Sequence, residues 1–455
     1  MPSLAKLLPQ KSFFLVVSGF CILVFWLSHR TSDLEPTTVW SPGGQPQIHS
    51  QVKPNALNDL PCRHLPGADE VLVVLKTGST EFEDKLPIHL TTTLRCYPNY
   101  LIFSDWAETY RGEQILDALE FVSPSLKEFH QDFGLYRRLH RAGGRAAIRP
   151  KERSGPISRF QGWGGKPQNP GWMLDKWKFL PMVNRTLHEA PEGIKWSVFI
   201  ETDTYIFWQT LLNYLRVLDW RKPYYIGGQI WIGDILFAHG GAGFVVSRPA
   251  LERVVALFAA DQMGWEDFTG RQWAGDCVLG KAFKDAGVEL TQAWPIWQAD
   301  DVGLMDYSRT DGQRLWCKPT VSYHHVSPAA VEDLWNFEQE WIARTRGDSS
   351  KYLHHRDVFR EYILPRARES RWDWDNHCDV DQGPVHSLNE CRVICEEVEA
   401  CLQYSFTNDM RCMTTSIPNM GEWARGFDSG WMYDRMEKFY EQQEACSARD
   451  EAWII

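Results

Sequence analysis

The chain predicts an open, doubly wound α/β fold, and three observations carry that expectation. The continuous apolar run Glu70-Val-Leu-Val-Val-Leu75 ends in Lys76-Thr-Gly78, as a buried parallel strand running into a turn does. A helical stretch from Phe82 to Thr93 then leads to a second apolar run, Tyr100-Leu-Ile-Phe103, closing at Ser104-Asp105. This is the strand–helix–strand alternation of such folds. Third, the apolar run Trp196 to Ile200 ends in Glu201-Thr202-Asp203. That puts two carboxylates, one residue apart, at the carboxyl end of a strand, where open α/β sheets bind ligands. Taken alone, such a pair is most often a pair of solvated loop carboxylates. At a strand end it can hold a hard divalent cation, and the cation a diphosphate.

At 455 residues the chain has room for one large domain and a small one. The net charge of -11 and the lack of a long Lys/Arg run argue against nucleic acid as a partner. Tryptophan is abundant, at 22 copies; these rings can stack on sugars, though core packing accounts for most. Lys6 and Lys11 precede an uncharged run from Ser12 to Ser28. It is shorter than the roughly 20 residues that span an average bilayer. A cleaved signal peptide is one reading. No small-x-small site follows, however, and Trp26 suits a membrane interface. The expectation is an uncleaved signal anchor over 12–28, with residues 1–11 cytoplasmic and the rest lumenal. A short span suits thin early-secretory membranes. Apart from Cys21 in that run, ten cysteines remain, an even number suited to an oxidising compartment. Asn184-Arg-Thr186 is an N-glycosylation sequon, usable only in that compartment.

Residues 29–68 are rich in Pro, Gly and polar side chains and read as a stem. The ordered part is expected over 69–345. Within it, Arg145 to Pro170 is Gly-, Pro- and basic-rich, either a solvated connection or a lid over a phosphate-bearing ligand. Met173 to Leu187 has Trp177, Leu180, Val183 and Leu187 at helical spacing. Tyr225-Ile-Gly-Gly228 and Gln229-Ile-Trp-Ile232 read as short strands, and a helix starts at Ser247, capped by its hydroxyl, with Pro249 in its first turn. Residues 346–376 are expected as a linker. The segment 377–447 holds Cys378, Cys391, Cys395, Cys401, Cys412 and Cys446. So short a segment builds little core and needs disulfides, and its spacing alone leaves fifteen connectivities. A zinc site lacks the paired Cys-x-x-Cys and His-x-His patterns it would use.

No phosphate-cradling Gly-x-x-x-x-Gly-Lys-Ser/Thr, dinucleotide Gly-x-Gly-x-x-Gly, His-Glu-x-x-His or Gly-x-Ser-x-Gly is present. What remains is Asp203, Asp276 and His324, with Glu201 and Lys178 beside them. Glu201-Thr-Asp-Thr-Tyr205, Gly240-Gly-Ala-Gly-Phe-Val-Val-Ser247, Gly275-Asp-Cys-Val-Leu-Gly280, Val321-Ser-Tyr-His324 and the upstream pair Trp177-Lys178 occur in that setting. Together they resemble the inverting β-1,3-glycosyltransferases of family 31, in the fringe-like and core-1 galactosyltransferase-like branch. The family's Asp-Asp-Asp is Glu201-Thr202-Asp203 here, and the Glu before its second acidic motif is Gly275.

The resemblance implies a GT-A-type fold, a mostly parallel sheet flanked by helices. It implies transfer of a hexose from a UDP-sugar, UDP-galactose or another, to a hydroxyl of a glycan or glycoprotein, in β-1,3 linkage with inversion. Asp203 and His324 would hold Mn²⁺ or another divalent cation, which accepts mixed oxygen and imidazole ligands. Glu201 and Lys178 would meet the nucleotide. Asp276 would be the general base; its alternative role is a helix N-cap before Val278 to Phe283. His325 competes with His324, since a strand turns neighbouring side chains to opposite faces. Lys178 has a surface alternative. Gly240, Gly241 and Gly243 would admit the sugar or pack strand on helix, and Trp297 would help shape the acceptor pocket. Golgi or endoplasmic-reticulum residence of a type II membrane protein follows. The C-terminal segment resembles a PAN/apple domain, which implies Cys378–Cys446, Cys391–Cys412 and Cys395–Cys401 pairs and either a ligand-binding or a capping role. Cys62, Cys96, Cys277 and Cys317 are left unassigned. A non-catalytic lumenal glycan-binding or chaperone-like relative is the alternative, motivated by Thr202 and Gly275.

Overall fold

The structure, a computed structural model, describes residues 60–155, 168–348 and 350–455. The expected anchor (12–28), most of the stem and the middle of the proposed lid lie outside the described residues. Among the described residues no helix is long and apolar enough to cross a membrane. The described residues form one compact unit.

The chain runs β1 (Val71–Lys76), α1 (Phe82–Thr91), β2 (Asn99–Ser104), β3 (Glu108–Tyr110), β4 (Glu113–Asp117), α2 (Pro124–Phe129) and α3 (Gly134–Ala142). It continues α4 (Pro170–Asp175), α5 (Phe179–Glu189), β5 (Trp196–Glu201), β6 (Tyr205–Ile206), α6 (Trp208–Arg216), β7 (Tyr225–Gly227), β8 (Gln229–Ile232) and β9 (Ile235–Ala238). Then come β10 (Phe244–Ser247), α7 (Arg248–Ala260), α8 (Gln262–Arg271), α9 (Gly275–Asp285), β11 (Leu290–Gln292), β12 (Ser322–Tyr323) and α10 (Pro328–Thr345). The main sheet has eight strands in the order β11-β7-β10-β5-β1-β2-β4-β3. It is parallel except at β10 and the edge strand β3.

The chain moves outward from β1 to β2 on one side and returns to place β5 on the other. The strand order therefore reverses between β1 and β5, which opens a crevice at their carboxyl ends. Lys76 and Glu201 are register partners there. Alternation along the strands feeds two cores. Val71, Val73, Leu75, Val198 and Ile200 face Phe82 and Leu86 of α1 and Leu211 of α6. Leu72, Val74 and Phe199 face Leu180 of α5, Leu251 of α7 and Val278 of α9.

Several expectations change. The helix expected over Met173 to Leu187 is two helices, α4 and α5, broken at 176–178. Pro181 has no N–H to give to the residue-177 carbonyl and its ring would clash there, so it is tolerated only in a new first turn. Ser247 precedes α7 but makes no capping bond. Its hydroxyl accepts from the Tyr224 amide and donates to the Lys222 carbonyl, which spends it on the sheet edge.

The stem ends early, because the disulfide Cys62–Cys96 ties the entering chain to the connection before β2. Nor is 346–376 a loose linker. Leu353, Val358, Phe359, Ile363 and Leu364 share a core with Val331 and Leu334 of α10 and with Trp431 and Met436 of the cysteine-rich segment. That segment builds a four-stranded antiparallel sheet from Val380–Pro384, Arg411–Thr415, Gln403–Thr407 and Phe427–Trp431. Cys391–Cys412 and Cys395–Cys401 are bonded.

Cys446 bonds Cys317 instead of Cys378. The helix Tyr433–Glu441 lays Phe439 and Tyr440 against Trp316, which delivers Cys446 to the turn holding Cys317. Cys378 stays a thiol, donating to Asn376 Oδ1 at 3.1 Å. Asn184 lies within α5, with the Thr186 hydroxyl buried against the Met182 carbonyl.

Candidate functional site: a cleft between two carboxylates

The crevice at the β1 and β5 ends is a cavity of about 290 Å³. Glu201, Asp203, Asp276, His324, Lys178 and Gly241 all line it. Of the other residues singled out in the sequence, Trp297 does not. It is wholly buried in the core, its ring lying where a Cβ on Gly243 would be 3.1 Å away. The run Gly240–Gly243 therefore serves two ends. Gly243, at φ +80°, makes room for Trp297. Gly240 and Gly241 make room for the reactive side chains: a Cβ on Gly241 would stand 2.2 Å from His324 Nε2, and one on Gly240 3.2 Å from Asp276.

On one wall, Asp203 Oδ1 lies 3.5 Å from His324 Nε2 and Oδ2 lies 3.0 Å from Lys85 Nζ. His325 joins them. Asp203, His324 and His325 each offer a ligand atom, all within 4.8 Å of one another. The opposite-face argument fails because β12 stops at Tyr323, and His325 takes a left-handed backbone at φ +57°. That turn brings the second ring back beside the first, 3.8 Å between centroids. One carboxylate and two imidazoles are a donor set that can hold a divalent transition-metal ion such as Mn²⁺ or Zn²⁺. Burial works against a charged His324, but Asp203 prevails and raises its pKa. Burial and its histidine neighbours hold His239, on the same wall, down to about 3.

Lys85 is the residue the sequence hid. On α1 its pairing with Glu81 one turn away looks like a solvated surface pair. The ammonium is instead buried against Asp203. Behind it, Lys76 bridges Glu201 at 3.0 Å and Asp175 at 2.6 Å. Burial raises the Glu201 pKa, Lys76 opposing it. Lys178 is no surface lysine; it is 1% exposed and donates to the Thr77 carbonyl at 2.9 Å.

On the facing wall, Asp276 sits in the first turn of α9, whose N-cap is Ala274. Its Oδ2 accepts from the Gly240 amide at 2.8 Å and its Oδ1 from the Cys277 amide at 2.9 Å. Burial raises its pKa above the ordinary carboxylate range, against the pull of the Gly240 amide. The departure at Gly275 has a steric cause. A Cβ there would be 2.3 Å from Phe179 Cδ2 and 2.7 Å from Lys176 Cα, so α9 abuts the α4–α5 turn directly and no side chain fits.

Among known proteins, the family model described as Fringe-like matches residues 178–340. The matched residues include Asp203, Gly240, Asp276, His324 and His325; Lys76, Lys85 and the cysteine-rich segment lie outside them. The chain is similar to a β-1,3-glucosyltransferase of Mus musculus, 27% identical over 165 residues, 35% of this chain and 31% of the relative. It is also similar to a β-1,3-glucosyltransferase of Homo sapiens, 24% identical over 187 residues, 38% of this chain and 32% of the relative. The chain thus spans about a third of the length of these relatives.

Proposed function

We propose that this protein is a metal-dependent inverting glycosyltransferase that moves a hexose from a UDP-sugar to a hydroxyl of a glycan or glycoprotein, in β-1,3 linkage. The observation that carries the reading is a single cleft in which a carboxylate–imidazole cluster faces a second, half-buried carboxylate. The Fringe-like match and the β-1,3-glucosyltransferase activity of the two relatives support it; the relatives make UDP-glucose the first donor to try, and the family resemblance makes UDP-galactose the second.

Asp203, His324 and His325 would hold the cation, which when bound supplies Lewis-acid charge to the diphosphate. Lys85 and Lys178, which line the cleft, add positive charge to it, with Lys76 behind them on Glu201. Asp276 takes the proton of the acceptor hydroxyl. The acceptor oxygen then bonds the anomeric carbon as the bond to the β-phosphate oxygen breaks, and UDP leaves with that electron pair. One base and no protein nucleophile are needed for inversion. The raised pKa of Asp276 suits the role, since a stronger base takes a proton more readily provided the pH keeps it ionised.

The proposed setting is the lumen of the Golgi or endoplasmic reticulum, reached by a type II signal anchor. It is supported by the apolar run at 12–28 and by the four disulfides among the described residues.

The test is a screen of the purified chain against UDP-sugars with Mn²⁺. UDP release that needs the metal and a sugar acceptor, and that vanishes in Asp203→Ala, is the expected result. Turnover on no donor, with glycan binding that survives a chelator, would instead favour a non-catalytic relative.

A further inference from the structure

The mouth of the cleft carries two aromatic rings that the chemistry above does not use. Trp172 of α4 and Trp273, in the α8–α9 connection, both line the cavity. Their rings lie near parallel, 6.3 Å between centroids and 19° between planes. Trp273 is 47% exposed, which for so large an apolar ring at a polar cleft leaves a face open to a ligand.

The pair is also held rigidly with respect to Asp276. Lys176, one turn after Trp172, donates to the Gln272 carbonyl at 3.0 Å and reaches the Gly270 carbonyl at 3.4 Å. Its ammonium is anchored by Asp132 at 3.0 Å. The backbone just before Trp273 is therefore clamped to the backbone just after Trp172. Gly275, without a side chain, lets α9 close onto Lys176 and Phe179, and Asp276 follows it directly. The two rings and the carboxylate thus share one support, and rigid support lowers the ordering cost of binding.

We propose that Trp172 and Trp273 form the acceptor subsite, a platform against which the apolar C–H face of a pyranose stacks. The acceptor is then a sugar rather than an amino-acid hydroxyl. The proposal rests on the reading above only for the role of Asp276; sugar binding by the platform does not depend on turnover. A nucleobase is the other flat ligand such rings accept. The position favours a sugar, because Trp273 lies three residues before the proposed base and on its wall of the cleft.

Saturation-transfer NMR on the full chain, with methyl β-galactoside, methyl β-glucoside and methyl α-mannoside as probes, tests this. At least one glycoside should receive saturation at its ring C–H protons. Its affinity should fall about tenfold or more in Trp273→Ala and in Trp172→Ala, and persist in Trp273→Phe. Binding of UDP with Mn²⁺, followed by calorimetry, should be unchanged in all three variants, which also shows that they fold. No glycoside binding to the wild type, or binding unaffected by Trp273→Ala, overturns the proposal. Loss of UDP affinity in that variant overturns it too, by assigning the rings to the nucleobase. If glycosides bind as expected but UDP with Mn²⁺ never does, the platform stands and the transferase reading falls.

Discussion

The two walls of the cleft each present one aspartate, and they hold it in opposite ways. Asp203 is engaged by side chains, Lys85 on one oxygen and His324 near the other. Asp276 is engaged by backbone amides, those of Gly240 and Cys277. Side-chain partners can swing away or change protonation, so Asp203 can exchange them for a cation. Backbone amides cannot, so Asp276 is held in place while its second lone pairs stay available to a proton. Two identical side chains are thereby suited to different work, and the difference lies in the partners, not in the residue type.

The largest expected effect that could break this contrast comes from the first wall. Asp203→Ala should remove metal-dependent UDP binding and lower transfer by about a thousandfold or more, read by Mn²⁺ and UDP titration alongside turnover. Asp276→Asn should lower kcat by roughly 10²–10⁴-fold while UDP and Mn²⁺ still bind. The contrast fails if both variants lose UDP binding alike. The pH profile sharpens it further. A protonated Asp276 cannot accept a proton, so kcat/KM should fall as pH drops through a pKa above the ordinary carboxylate range. In Asp276→Asn that acid limb should vanish from the residual rate.

A matched pair of glycine variants probes the walls more gently. Gly241→Ala drives a methyl into His324 and should weaken Mn²⁺ binding; Gly275→Ala drives one into Phe179 and should lower kcat with metal binding kept. Each should also cost about 1–3 kcal/mol of stability through overpacking, measurable by urea unfolding. Lys85→Met removes the ammonium from Asp203 and should tighten Mn²⁺ binding, the reverse of the other variants. The smallest effect on chemistry is expected far from both walls. Cys446→Ser opens the Cys317–Cys446 link and should cost about 2–4 kcal/mol of stability while leaving kcat/KM near the wild-type value.

The strands were legible because alternating or continuous apolar runs bounded by turns are local signals. β1, β2 and β5 lie within a residue or so of the runs that announce them. The acidic strand end and the four motifs were legible for the same reason, each being a short contiguous string. Lys85 was not, because its burial depends on β5 and β12 arriving beside α1, and in sequence it differs in nothing from a surface lysine. His325 was not, because whether a strand stops after Tyr323 is settled by what packs beyond it. The Cys317–Cys446 bond was not, because its halves are 129 residues apart and only the docking of Tyr433–Glu441 on Trp316 unites them.

By itself the sequence determined an α/β chain with a carboxylate-bearing strand end and a cysteine-rich tail, since periodicity, turn residues and short motifs are properties of neighbours along the chain. The tertiary structure decided which partners each carboxylate has, that two histidines and not one share the cluster, that Trp297 is core, and that the supposed linker binds the tail to α10 and β6. Those outcomes depend on burial and on distances between residues remote in sequence, and such distances exist only once the chain has packed.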